Sequence, residues 1–478
     1  MRVAILHYHL RPGGVTRVID NTVQSLAGTQ VQLALLTGEE PSGDFHDGLV
    51  RTVPAIGYQQ DGDPRALLSE LDLAASQMLG GAPDLWHIHN HSLGKNLALP
   101  KAARALALRG DPVVLQPHDF AEDFRGSNYR ALLDGSGLDH APALHRWLYP
   151  VADHVHYALL TSRDRDALAS CGLPADRLHL LPNAIALAGA GDLKQTTTRS
   201  GVRVYPTRAI RRKNLGEFLL WALLEPSDEW WITLAPTSTE DRLYYDRWKA
   251  WTAQHKLPVR FEAGVNRPLS EVLAEAGAVI STSITEGFGL AFAEPWLAGK
   301  PLCGRALRDI TRDLETDGLD LSCLYDELRV PADLLPEAAL RQAVQDALVR
   351  IHKAFGLPLP DHAMDRALTM IRSDQGIEFG RIGENLQSMI LQRLAEDPGR
   401  AAGMKPRTLA PWDPDDPRIL QNRDLLVSQY GLSAYRERLL TLYQSVLAAP
   451  ISTVEAPAGD RTLLDCFLAP EKLHIARS

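Results

Sequence analysis

RVAILHYHLRPGGVTRVIDNTVQSLAGTQVQLALLT, residues 2–37, reads as strand, loop, helix and strand in succession. The runs AILHY and QLALL are apolar on both alternating faces, as strands covered from both sides are. Between them PGG punctuates the chain and TRVIDNTVQSLAG carries a helical pattern. The same alternation continues through VRTVPAI, LLSELDLAASQML, DLWHIHN, KNLALPKAARALALRG and PVVLQPHDF. It then runs into ALLTS, the capped helix SRDRDALASCGL and the strand-like RLHLLPNAI. Short strands alternating with helices of roughly 10 to 15 residues imply parallel βαβ units.

Residues 186–201, ALAGAGDLKQTTTRSG, lose all periodicity and fill with Gly, Thr and polar residues, which marks a linker. Beyond it the alternation restarts with VRVYPT, NLGEFLLWALL, EWWITLAP, the long helix DRLYYDRWKAWTAQHKL, VRFEAGV, SEVLAEAG, AVISTS, LAFAEPWLAG and KPLCGRA. From about residue 330 the pattern turns mostly helical, and GLSAYRERLLTLYQSVLAAP has a Ser cap and an apolar face. The expected fold class is α/β: two Rossmann-like, doubly wound parallel-sheet domains facing a cleft, with helical C-terminal additions. The boundaries are residues 1–190, 200–410 and 411–478. Ligands of such sheets bind at the carboxyl ends of the strands, against helix N-termini, so strand-end loops are where chemistry is sought.

The 478 residues are too many for one ordinary core, and 45% hydrophobic, 23% charged and 6% aromatic residues is a globular composition. No stretch approaches the ~20 apolar residues that span a bilayer, so no transmembrane segment is expected. The N-terminus reads as a first strand running into a loop rather than a signal peptide. Cys171, Cys303, Cys323 and Cys466 are scattered without CxxC spacing, which points to free thiols in a reducing compartment and a cytoplasmic location. A formal net charge of −9 disfavours general nucleic-acid binding, while a local basic cluster remains able to hold a small anion.

Several strand ends carry candidate chemistry. After the first strand, Gly13 and Gly14 let the backbone approach a ligand beside a helix N-terminus, or form a plain tight turn; neither GxGxxG nor the phosphate loop GxxxxGK[ST] is present. DLWHIHNHS alternates His87, His89 and His91, which would share one face and suit zinc only if the strand ran that far; polar strand-end residues are the plainer reading. PVVLQPHDF sets His118 and Asp119 directly after a buried strand, where an imidazole positions or polarises a hydroxyl, or is merely structural. VRVYPTRAIRRKN presents Arg208, Arg211, Arg212 and Lys213 between a strand and a helix, which suits a diphosphate or is a solvated charge run. TEGFGLAFAEPWLAGKP, residues 285–301, follows a strand with Glu286 in its loop and Glu294 beyond. Carboxylates accept from vicinal hydroxyls, and Gly287 and Gly289 allow a close turn that leaves amides free for an anion.

Taken together, TEGFGLAFAEPWLAGKP resembles the Glu-x7-Glu segment of retaining glycosyltransferases of the two-domain GT-B architecture, especially the nucleotide-sugar-dependent family four. Arg208 and Lys213 match its Arg and Lys spaced five apart. PGG, PHDF, TSRDRDALASCGLPADRLHLLPN and the closing helix GLSAYRERLLTLY match in the expected order, over residues 1–305 and about 425–450. The resemblance implies that Arg208 and Lys213 hold the donor diphosphate, Glu294 the nucleotide ribose and Glu286 the donor-sugar hydroxyls. The amides of Phe288, Gly289 and Leu290 would face the diphosphate or sugar, His118 would lie near the transferred sugar, and Gly13 and Gly14 would wall the phosphates. His118, Glu286, Arg208 and Lys213 are thus the expected catalytic set. The N-terminal domain would be the acceptor side, the next would bind the nucleotide sugar, and the C-terminal helices would cross back to the N-terminal domain.

The implied reaction moves a hexose from a donor of the UDP-glucose or GDP-mannose type, with retention, to an unidentified acceptor: a small molecule, glycan, lipid or modified base. The nucleotide sugar is a co-substrate, and neither a cofactor nor a metal is expected. The acidic triplets at Asp61–Asp63, Asp164–Asp166 and Asp413–Asp415 read as turn or helix-surface residues. The alternatives on the same fold are a phosphorylase or epimerase, or a non-catalytic nucleotide- or sugar-binding protein. This chain departs from the pattern where Pro295 follows Glu294, where PNAI lacks a glycine after Asn183, and between residues 305 and 425, where nothing is recognised. The aromatic helix DRLYYDRWKAW carries no assignment, and KAARALALRG, residues 101–110, suits either a basic, apolar surface helix for a lipid-linked acceptor or, as the plainer reading, an ordinary amphipathic helix.

Overall fold

The computed structural model describes residues 1–41, 45–46, 48–58, 62–185, 201–404, 409, 413 and 415–477. Of the linker expected at 186–201, residues 186–200 lie outside the described residues, as does Asp61. The chain divides into two compact units. Unit 1 comprises Met1–Ala184, Ala354–Leu357 and Tyr430–Ala469; unit 2 comprises Ile185–Lys353, Pro358–Gln429 and Pro470–Ser478.

Unit 1 is built on strands β1 (Arg2–His7), β2 (Gln32–Thr37), β3 (Val50–Thr52), β4 (Leu85–His89), β5 (Val113–Gln116), β6 (Val155–Leu159) and β7 (Leu178–Leu180). Their order is β3-β2-β1-β4-β5-β6-β7, with parallel pairing throughout. Every residue of β4, β5 and β6 is buried, the continuous burial that the apolar runs anticipate for a sheet with helices on both faces. The closing helix Leu432–Ala448 lays Tyr435, Leu439, Leu442, Tyr443 and Val446, one helical stripe, onto Val3, Ile5, Ile19 and Val23 of the N-terminal segment. Polar ties accompany this packing: Thr22 Oγ1 bonds the Tyr435 hydroxyl at 2.9 Å, and Arg436 Nε donates to the Ser25 carbonyl at 2.5 Å. The helix starts at Gly431 without a side-chain cap, so the expected Ser cap is not used.

Unit 2 repeats the plan with β8 (Val202–Arg208), β9 (Glu229–Leu234), β10 (Val259–Arg260), β11 (Ala278–Ser281), β12 (Leu302–Arg305) and β13 (Leu324–Tyr325). The order is β10-β9-β8-β11-β12-β13, again parallel. In both sheets the chain order reverses beside the first strand, between β1 and β4 and between β8 and β11. That reversal opens a crevice outside the strand ends, where doubly wound sheets take ligands.

The region beyond residue 305 holds elements the sequence reading omits, among them a small antiparallel sheet of β14 (Arg329–Val330), β15 (Arg372–Ser373) and β16 (Gly376–Glu378), in the order β14-β16-β15. Strands of two or three residues are too short to show a period. Glu378 of β16 reaches the buried Arg305 of β12, which also holds Glu217 of the helix Leu215–Leu224 at 2.6 Å. Both carboxylates use all their oxygens: Glu378 also accepts from the Leu328 and Gly380 amides, and Glu217 from the Tyr325 hydroxyl and Asn214 Nδ2. Such completeness offsets the desolvation of three buried charges. The aromatic helix Thr239–Gln254 is amphipathic cover: Tyr245 and Trp248 are buried, and the Tyr244 ring lies between the Arg211 and Arg247 guanidiniums at 4.6 and 4.7 Å.

Candidate active site

In unit 2 the loops after the adjacent strands β8 and β11 are tied together. A one-turn helix, Arg211–Lys213, follows β8, and the Arg212 carbonyl accepts the Ile284 amide at 3.0 Å. Thr282 Oγ1 donates to the Lys213 and Asn214 carbonyls, at 3.0 and 3.2 Å, and the Tyr205 hydroxyl bonds the Lys213 carbonyl and Ser283 Oγ, at 3.1 and 2.6 Å. Asn214 holds φ 53°, a left-handed turn that asparagine tolerates, and its side chain is fixed by Glu217 and Gln387. This buried polar scaffold aims Lys213 at Glu286, with which it forms an ion pair. Ser283 Oγ donates a further bond to the same Glu286 oxygen at 2.7 Å.

The side chains of Lys213 and Glu286 are 13% and 11% exposed, shielded from bulk water yet reachable by a ligand. Burial pushes the Lys213 ammonium below the ordinary lysine value, and Glu286 opposes that shift. Arg208 ends β8 and is exposed; its guanidinium donates to the Ala235 carbonyl at 2.9 Å, across the end of β9. Arg211 is bound to Glu384 at 2.6 Å and stacks on Tyr244, so this member of the cation run is structural.

The expected single helix LAFAEPWLAG is two pieces. Gly289 (φ 90°) opens a 3-10 turn over Leu290–Phe292, Ala293 is the junction at φ −113°, and a second short helix runs over Glu294–Leu297. The division has a steric cause. In one continuous helix the Pro295 ring would strike the carbonyl four residues earlier, whereas in the first turn of a new helix its missing N–H leaves no bond unmade. Pro295 is thereby accommodated, and Glu294 sits half-buried at the start of that helix. Phe288 is buried at 8% exposure, with Gly289 beside it, and Leu290 is half-buried.

In unit 1, Gly13 is extended and precedes the helix Gly14–Leu26, which has no side-chain cap on its first amides. A Cβ on Gly14 would meet nothing within 4 Å and one on Gly13 only the Arg11 carbonyl at 3.7 Å, so open space, not strain, surrounds the pair. His118 follows β5. Its backbone amide donates to Asn90 Oδ1 at 2.7 Å, and its Nε2 meets His89 Nδ1 at 2.8 Å, with the two rings end to end and nearly coplanar, centroids 5.1 Å apart. Burial pushes His118 down to about 4, against the pull of Asp119.

The three alternating histidines do not share a face. β4 ends at His89, Asn90 turns the chain at φ 55°, and His91 faces the Leu148 carbonyl at 3.0 Å. Among the described residues no group of three His, Cys, Asp or Glu is placed to hold a metal. The site residues that sequence reasoning passed over are Ser283 and Tyr205 beneath the ion pair, and only the strand-end position of Ser283 hinted at it; His89, read from the sequence with His87 and His91, lies behind His118. The acidic triplets serve local structure: Asp63 caps the helix Pro64–Leu79, and Asp164 is buried against Arg163.

Comparison with known proteins bears on this geometry. Residues 13–184 match the family model described as a glycosyl transferase 4-like domain. Residues 13–184 thus resemble that domain, and the fold of the chain is of the GT-B type. A curated mannosylglucosyl-3-phosphoglycerate synthase from Petrotoga mobilis is 27% identical over 65% of this chain and 66% of its own length, so the match spans just under two thirds of that relative. Among solved structures, HepE from Anabaena in complex with UDP and glucose aligns over 93% of this chain and all of its own, at 14% identity and TM-score 0.51, a likeness of fold. A glycosyltransferase from Rickettsia africae aligns over 94% and 98% of the two chains at 10% identity and TM-score 0.50, a likeness of fold. Among the described residues of this GT-B chain, no helix is long and apolar enough to cross a membrane.

Proposed function

We propose that the protein transfers a hexose from a nucleotide sugar of the UDP-glucose or GDP-mannose type to an acceptor, with retention of anomeric configuration and without a metal. The observation that carries this reading is the Lys213–Glu286 pair at the strand-order reversal of unit 2. A half-shielded ammonium is a donor to a diphosphate, and the carboxylate beside it is an acceptor for sugar hydroxyls. Arg208 at the same strand end adds a second cation, Glu294 is assigned the ribose hydroxyls, and the amides of Phe288, Gly289 and Leu290 are assigned to the diphosphate or sugar. In unit 1, His118 is assigned to the transferred sugar, and Gly13 and Gly14 to the phosphates. Fixed cations stabilise the charge that develops on the departing diphosphate, an effect worth about 3–4 kcal/mol for a well-placed donor. The diphosphate itself then takes the acceptor proton, so no protein nucleophile is required.

A screen of UDP- and GDP-hexoses following nucleotide release tests the reading. Glycosides of phosphoglycerate are the first acceptors to try, given the printed name of the Petrotoga relative. Turnover should fall on the order of 10²- to 10³-fold in Lys213→Ala and in Glu286→Ala, and the product's anomeric proton coupling should match the donor's. Wild-type turnover in both variants would remove the assignment.

A further inference from the structure

His89 is a second histidine in the wall of unit 1, and its connections give it a role. Three imidazoles run in a row: His87 lies on His89 at 4.6 Å with 21° between planes, and His89 meets His118 end to end through their ring nitrogens, with centroids 5.1 Å apart and planes 14° apart. The innermost ring is pinned at both nitrogens. His87 Nε2 faces Gln116 Oε1 at 2.9 Å and therefore donates, while Nδ1 accepts from the Tyr443 hydroxyl at 2.8 Å. His87 and His89 are fully buried, and burial holds both in the neutral form.

The His89–His118 pair has four ring nitrogens. Two face each other, His89 Nδ1 and His118 Nε2 at 2.8 Å, and His89 Nε2 is buried with no partner. The fourth, His118 Nδ1, is the nitrogen left for a substrate. Two neutral rings carry two protons, and only one can lie between them. If His89 carried its proton on Nε2, that N–H would be orphaned in a dry wall. Orphaned buried N–H groups are rarer than unused acceptors. The proton therefore belongs on Nδ1, where it is donated to His118 Nε2. His118 then accepts at Nε2 and must carry its own proton on Nδ1.

We propose that His89 is a positioning residue that fixes the tautomer of His118, so that His118 meets the substrate as a hydrogen-bond donor through Nδ1–H rather than as a general base. This rests on the reading of His118 as a substrate-facing group. A donor fits a reaction in which the leaving diphosphate, not the protein, collects the proton, because an N–H steadies a sugar oxygen without competing for that proton. Asn90 supports the arrangement by accepting the His118 and Asp119 amides at 2.7 and 3.1 Å, which fixes the loop on which the ring is carried.

The test is nitrogen-15 NMR of histidine-labelled protein, with His118 assigned by loss of its signals in His118→Gln. Wild type should show His118 protonated at Nδ1. His89→Asn, whose side-chain amide places an N–H where Nδ1–H stood, should keep that tautomer. His89→Leu should lose it and lower kcat about ten- to a hundred-fold, the usual cost of removing an orienting partner, with the donor KM little changed. Finding His118 protonated at Nε2 in wild type, or unchanged in His89→Leu protein with a wild-type melting transition, would overturn the proposal. Full turnover in His118→Ala would instead overturn the reading of His118 as a site residue, and would leave the tautomer result standing.

Discussion

Lys213 combines two opposed influences, burial that disfavours its charge and a carboxylate that favours it, and burial is the larger. As pH rises, its ammonium is therefore neutralised earlier than a solvated lysine would be. Donor KM should climb on the alkaline side, below the ~10.4 of free lysine, and Lys213→Arg should remove that limb because a guanidinium stays charged. An alkaline limb that persists in Lys213→Arg would place the titrating group elsewhere. The glycines nearby separate strain from access. Gly289 sits at φ 90°, and a Cβ there would lie 2.4 Å from Ile310 Cγ2, so Gly289→Ala should destabilise unit 2 by about 1–3 kcal/mol. Around Gly287 the space is open, so Gly287→Ala should leave the denaturation midpoint unchanged, and any loss of turnover would report on the ligand. At this scale the sequence was legible where spacing carried information: Lys213 and Glu286 each lie five residues past the end of a strand, and those two strands are neighbours. It was silent on Arg211, whose partner Glu384 is 173 residues away.

Strands and helices long enough to show a period were readable, and their ends were not. VRTVPAI yields a strand only over Val50–Thr52 before a 3-10 turn, and VRFEAGV only over Val259–Arg260, because both lie toward a sheet edge where one neighbour is lacking. The crowding of histidine at the ends of β1, β4 and β5 has a consequence for stability. Burial pushes His7 and His87 down to about 3, and His91 and His118 down to about 4. Below the unfolded value of about 6.5 the unfolded chain binds protons that the folded chain refuses, so stability rises with pH in that range and is lost on acidification. The urea midpoint should fall between about pH 6.5 and 4, where a flat profile would contradict the buried, neutral assignment. His91→Gln keeps a donor for the Leu148 carbonyl and should flatten the slope by up to about 1.4 kcal/mol per pH unit, one proton's worth.

For the whole molecule, two doubly wound sheets were legible because alternation stops and restarts along the chain. The route of the backbone between the units was not, since no local pattern says which core a late helix will cover. Unit 1 takes residues 354–357 and 430–469 as well as the first 184, and its core includes Tyr435, Leu439, Leu442 and Tyr443. A fragment of residues 1–184 should expose that apolar face, bind a hydrophobic dye and aggregate, and fusing residues 430–469 to it should restore a cooperative melt. A soluble, cooperatively folding 1–184 fragment would mean the closing helix is dispensable. Residues 470–477 return to unit 2, where Glu471 pairs with Arg366 at 2.6 Å and His474 bonds the Gly380 carbonyl at 3.0 Å. During synthesis, then, the amino-terminal half cannot finish folding as it leaves the ribosome. Its last layer arrives only after nearly all of the other half has emerged, and until that moment a nascent chain of some 430 residues holds an unfilled groove. Chaperone occupancy on stalled chains should drop sharply once residue 448 has cleared the exit tunnel.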